Sequence, residues 1–192
     1  MTTWWWVRHG PTHAKGLVGW TDLPADLSDT SALARLEAHL PPDALVVSSD
    51  LVRSTATADA IVNNRTRLPH APEIRELHFG DWENRTSAEV SATDPETSRA
   101  YWSNPGEVTP PNGESWNTAA ARVSAFVTRM NAAHKDQHIV AVAHFGVILT
   151  QLQNASRIGA KSALSFKIDN LSVTRLEFLD PFWRVHGVNH RP

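Results

Sequence analysis

The run Trp4-Trp5-Trp6-Val7, broken off by Arg8-His9-Gly10, constrains the fold of this chain more than any other stretch. Four apolar residues in a row read as the first buried strand of an α/β domain. Arg8-His9-Gly10 then stand at the carboxyl end of that strand, where open α/β sheets place their ligand crevices. A guanidinium beside an imidazole at such a point suggests a phosphate site, with one residue to hold the dianion and one to attack it.

The rest of the chain alternates in the same way. Residues 45–47 and 139–143 are further apolar strands, and the second is the strongest buried-strand signal in the sequence. Ser28 or Asp29 can cap a helix that runs to about His39 and is stopped by Pro41-Pro42. Helical periodicity marks residues 54–63, a long amphipathic helix from a Ser115 cap to about Ala133, and residues 145–153. A short strand is expected over residues 73–77, a weakly helical polar stretch over 87–99 and a Pro/Gly-rich loop over 104–113. Residues 172–178 and 183–188 alternate as closing strands. With no repeats and no linker, the expectation is one domain over residues 1–192. Its architecture is a three-layer α/β/α sandwich around a mostly parallel central sheet.

Charge and composition remove several function classes. The chain has 192 residues and a formal net charge of -2, with no basic footprint for nucleic acid. The absence of cysteine excludes a disulfide framework, a thiolate nucleophile and cysteine metal sites. No apolar run approaches the ~20 residues that span a bilayer, and no signal peptide is visible. The expectation is a cytoplasmic protein with no membrane partner; the oligomeric state is not legible. His134/His138 and His186/His190 each have a spacing of four, but neither pair has a third ligand in view, so no metal is expected.

Three strands lead to residues with phosphate chemistry. The first ends at Arg8-His9, the second leads to Arg53 and the third ends at His144. Basic groups at the same end of adjacent strands converge on one crevice. Arginine suits a phosphoryl group because its planar fork donates two parallel hydrogen bonds and stays charged. Helices after Gly10, Arg53 and His144 are expected to aim free N–H groups at the anion.

Five segments together resemble the histidine phosphatase superfamily, the phosphoglycerate-mutase-like proteins with an Arg-His-Gly signature. These are Arg8-His9-Gly10-Pro11-Thr12, the Ser48-Ser49 pair leading to Arg53, Glu76 to Glu83, Gly113-Glu114-Ser115, and Val142-Ala143-His144-Phe145-Gly146. They come in family order and span nearly the whole chain. The resemblance implies a phosphoglycerate-mutase-like fold and a phosphomonoester hydrolase that needs neither metal nor other cofactor. It implies that His9 is the nucleophile and becomes a phosphohistidine. Arg8, Arg53 and His144 clamp the phosphoryl oxygens, and Glu76 protonates the leaving oxygen. Asp81 and Glu83 are the fallback acids. The compact motif set is nearest in look to α-ribazole phosphatases and broad-specificity phosphatases. A mutase that returns the phosphoryl group to a sugar acid, and an idle phosphoryl-ligand receptor, are the alternatives.

The chain departs from the family pattern at the pocket rim. Lys15 aligns with an asparagine that contacts phosphate in many relatives, and Phe145 replaces a small residue after the second histidine. Thr12, Lys15 and Trp20 are the candidate substrate contacts beyond the core, on a small phosphorylated partner. The loop 19–24 and the segment 101–113, with Trp20 and Trp102, are expected to shape the pocket. His13 and His78 flank motif residues and are read as solvated surface groups. Ser48, Ser49 and Ser115 are read as turn and cap residues without chemistry.

Overall fold

A computed structural model describes all of residues 1–192. The chain forms β1 (Thr2–Arg8), α1 (Thr30–His39), β2 (Leu45–Ser48), α2 (Val52–Ile61), β3 (Thr66–Arg67), α3 (Ser87–Thr93) and α4 (Pro95–Ser103). It continues through α5 (Trp116–Ala133), β4 (His138–Ala143), α6 (Phe145–Ser156), α7 (Ala160–Ala163), β5 (Val173–Phe178) and β6 (Trp183–His190). The six strands lie in the order β3-β2-β4-β1-β5-β6. The first four in that order are parallel, and β5 and β6 close the sheet as an antiparallel pair.

The tryptophan run explains itself in section. Trp4 and Trp6 point to one face, where they join Val123, Phe126, Val127 and Ile148 beneath α5 and α6. Trp5 and Val7 point to the other and join Leu36, Ala58 and Ile61 beneath α1 and α2. Successive side chains on a strand alternate, so a strand between two helical layers has to be apolar at every position. Burial at roughly 25 cal/mol per Å² makes each of these indoles worth several kcal/mol of driving force. The Trp4 and Trp6 rings stack at 5.1 Å, and Trp4 Nε1 donates to Asn131 Oδ1 on α5 at 2.8 Å.

Caps are as expected at α1, where the Asp29 carboxylate accepts from Ala32 N–H, and at α5, where Ser115 accepts from Thr118 N–H. Other readings need correction. Residues 73–77 are not a strand: Pro72–Ile74 is a single 3₁₀ turn followed by an extended segment. That segment has no sheet partner because side chains take its backbone groups. Leu77, His78 and Phe79 donate their N–H groups to Glu76, Glu114 and Glu83. No helix follows Gly10; residues 9–29 are irregular, as Pro11 and the turn residues beyond it favour. Arg53 lies in the first turn of α2 rather than before it. The polar stretch after Ser87 is two helices, the first opened by a Thr86/Glu89 capping box and the second by Pro95 at its first turn. The two-residue β3 and the one-turn α7 are too short to leave a periodic signal.

Candidate active site

Arg8, His9, Arg53, Glu76 and His144 meet at the carboxyl end of the parallel strands. The rings of His9 and His144 lie 5.0 Å apart. His9 Nδ1 is 2.6 Å from the Gly10 carbonyl, which can only accept, so the proton of the neutral ring sits on Nδ1. Nε2 therefore carries the lone pair, and Arg53 Nε donates to it at 3.2 Å. Burial, then the Arg53 charge, hold the imidazole down at a pKa of about 3, against the upward pull of the Gly10 carbonyl. The ring is neutral and nucleophilic across the working pH range.

Arg53 is buried within α2 without a carboxylate partner. Its Nη1 and Nη2 donate to the carbonyls of Thr21 at 2.8 Å and Gly19 at 2.6 Å. These carbonyls aim the cation without cancelling its charge. Arg8 is treated alike: Nη1 donates to the Ile168 carbonyl at 2.6 Å, and its buried Nε has no protein partner. Phe145 lies beneath that guanidinium at 5.5 Å, so the bulky residue after His144 supports Arg8 through its ring. His144 is fully buried, its Nε2 is 2.7 Å from Ser49 Oγ, and its Nδ1 has no protein partner. Burial, then His9 and the arginines, keep it neutral, well below the ordinary histidine range.

Glu76 is built the opposite way. Burial raises its carboxyl above the ordinary range, although the N–H groups of Leu77 and Gly146 and the charges of Arg53 and Arg8 pull it down. Gly146 N–H donates to both carboxyl oxygens, at 3.0 and 3.1 Å. A Cβ at Gly146 would stand 2.6 Å from Glu76 Oε1, so only glycine lets the start of α6 approach the acid this closely. The Glu76 carbonyl accepts from Trp20 Nε1 and Arg122 Nη2, both at 2.8 Å. Arg122 also pairs with Glu114, which in turn accepts from His78 N–H.

The remaining candidates divide clearly. Trp20 is 36 % exposed, with Arg75 over its ring at 4.8 Å and His78 edge-on at 4.5 Å. Thr12 is half-buried, and its hydroxyl accepts from Ala14 N–H. Lys15 is exposed, and the protein offers it no ion pair. Neither fallback acid is free: Asp81 binds Asn112, and Glu83 accepts from Gly19, Trp20, Thr21 and Phe79. The Glu83 carboxylate thereby anchors the loop that supplies the Arg53 carbonyls. His13 pairs with Asp26, and His78 Nδ1 accepts from Gly80 N–H. Trp102 packs on Tyr101 at 4.9 Å.

Sequence reasoning missed four groups: Ser49, Glu114, Arg122 and Asn170. Asn170 Nδ2 donates to the His9 carbonyl at 2.8 Å, and Leu171 N–H donates to the Arg8 carbonyl at 2.9 Å. The turn before β5 thus staples the backbone of Arg8 and His9. Ser49 and Glu114 stand in quoted motifs, the Ser48-Ser49 pair and Gly113-Glu114-Ser115, while nothing in the sequence pointed to Arg122 or Asn170.

The family model of the histidine phosphatase superfamily (branch 1) matches residues 4–191. The adenosylcobalamin/alpha-ribazole phosphatase of Salmonella typhimurium is 29 % identical, over 97 % of this chain and 96 % of its own length. The glucosyl-3-phosphoglycerate phosphatase of Mycolicibacterium vanbaalenii is 36 % identical over 74 % of this chain and 68 % of its own. Among solved structures, YhfR of Bacillus stearothermophilus superposes with a TM-score of 0.90 at 24 % identity, covering 99 % of this chain and 98 % of that one.

Proposed function

Because this chain belongs to branch 1 of the histidine phosphatase superfamily, and is a phosphatase by that membership, we propose that it hydrolyses small phosphomonoesters through a phosphohistidine on His9. One observation carries the reading: the crevice holds a histidine kept deprotonated beside a carboxyl group favoured in its protonated form. Environments that push two titratable groups in opposite directions assign the acid and the base.

The first step joins His9 Nε2 to phosphorus and breaks the ester P–O bond, while the leaving oxygen takes the proton of Glu76. Arg53 Nε, which faces Nε2 at 3.2 Å, turns to a phosphoryl oxygen as that lone pair is used. The unpartnered donors Arg8 Nε and His144 Nδ1 serve the other oxygens. Donors fixed in advance, in a site shielded from water, are worth more than the same groups in solution. In the second step the Glu76 carboxylate takes a proton from water, the water oxygen bonds to phosphorus, and the P–N bond breaks to release neutral His9. The cations are all side chains, so the sequence of steps draws on no metal.

The exposed Trp20 indole borders the space for the leaving group, with Thr12 and Lys15 on the loop beyond Gly10. Substrate range follows from this rim. A phosphate-release panel of sugar phosphates, nucleotides, phosphoglycerates and α-ribazole phosphate tests it, with rapid quenching to trap acid-labile phosphate on the protein. Turnover of at least one class with label on His9 is expected. Turnover without a trapped phosphohistidine, or transfer to a second sugar acid in place of water, would overturn the proposal.

A further inference from the structure

The side of the sheet that carries Trp5 is covered by α1 and α2 over the parallel strands but left open over β5 and β6. At that margin lies a recess of about 260 Å³, lined by Trp5, His39, Val173, Arg175, His186 and His190. Arg175 forms its centre. Its guanidinium lies over the Trp5 ring at 4.8 Å, and its buried Nε has no hydrogen-bond partner. The one carboxylate nearby, Glu177, is already taken by Arg184 at 2.9 Å and His186 at 3.0 Å. His39, at the end of α1, packs against His190 of β6, their rings tilted by 43° with centroids 4.7 Å apart. The recess shares no side chain with the catalytic crevice.

We propose that this recess is a second oxyanion site, taking a small phosphate or carboxylate on the Arg175 fork with the His39 and His190 rings alongside. Arginine has no lone pair to offer a metal, so the only ligand its free donors recognise is an acceptor. Trp5 lies under the guanidinium, no protein acceptor takes its nitrogens, and the Nη pair is left for a two-point contact, the geometry in which arginine exceeds lysine. The local charge agrees: Arg175 and Arg184 face the single carboxylate of Glu177. The fourth histidine in reach, His138 on β4, accepts from Trp5 Nε1 at 3.3 Å and holds the floor in place. Burial, then His190 and Arg175, keep His39 below its ordinary range. A bound anion offsets that repulsion, so binding takes up a proton and strengthens with acidity.

The experiment titrates the intact protein with inorganic phosphate, and separately with acetate, while following the ring-proton resonances of His39 and His190. Sodium chloride at matched ionic strength is the blank. The proposal expects saturation by at least one of the two anions, tighter at pH about 6 than at about 8. Whichever saturates at lower concentration identifies the source chemistry. Arg175→Gln should abolish the response while phosphate inhibits hydrolysis as in the wild type. If circular dichroism shows that this variant does not fold, His190→Gln is read in its place and should weaken binding. Saturation by neither anion, a response equal to chloride, or an unchanged titration in the folded variant would each overturn the site.

Discussion

The two cationic regions of this molecule are held by different means. In the catalytic crevice Arg8 and Arg53 are anchored by backbone carbonyls of Ile168, Thr21 and Gly19. In the recess Arg175 lies over an indole, beside the His39 and His190 rings. The first region sits at the ends of parallel strands with helices on both faces. The second sits on antiparallel strands with one face open. Carbonyl anchoring fixes direction to within a hydrogen-bond angle, and burial removes competing water, which suits a transition state. Aromatic anchoring leaves the guanidinium free of protein acceptors, which suits reversible binding.

Substitutions in the crevice should therefore have far larger effects than substitutions in the recess. His9→Ala should lower kcat/KM for phosphate release by about 10⁴-fold or more, with the fold intact by circular dichroism. Glu76→Gln keeps the shape but removes the proton, and should cost about 10²–10⁴-fold on alkyl phosphates. The loss should be much smaller on an aryl phosphate whose leaving group needs no acid, so the ratio of the two substrates is the readout. In the wild type the activity should fall as pH rises through the raised Glu76 value and hold on the acid side until His9 begins to protonate near 3. Gly146→Ala pushes a methyl group toward the acid and should cost about 10²-fold through misplacement alone.

A smaller effect concerns stability. His9 has its pKa lowered in the folded state, so below about 6.5 the unfolded chain binds the extra proton and folding loses ground. That loss accumulates as pH falls from about 6.5 to the folded value near 3, at a slope of up to ~1.4 kcal/mol per pH unit for this one group. Urea melts of wild type and His9→Gln should diverge over that window and run parallel above it. The smallest effect is at Arg175→Gln, where hydrolysis should stay within about twofold of wild type, since the recess touches none of the crevice residues.

How much of this was legible depended on distance along the chain. The apolar runs at residues 4–7, 45–47 and 139–143 are strands because their neighbours are helices on both sides, and the run itself carries that information. Arg8, His9 and His144 follow from strand ends. Glu76 was reachable only through its motif, because it stands in an irregular segment whose backbone is satisfied by the side chains of Trp20, Glu83, Glu114 and Arg122. The wrong strand reading there has the same cause: three of those partners, Trp20, Glu114 and Arg122, lie 36 to 56 positions away along the chain. Arg122 bonds to Glu76 across 46 positions and Ser49 meets His144 across 95, separations at which no local pattern survives.

The staple from Asn170 and Leu171 to the backbone of His9 and Arg8 spans 161 positions for its asparagine bond. Strand β1 also lacks its neighbour β5 until residues 173–178 are made, and β4 arrives only shortly before. The surroundings of His9 therefore rest on contacts between distant parts of the chain. Contacts of that separation carry a large loop-closure cost and form late, so the site assembles together with the sheet and not ahead of it.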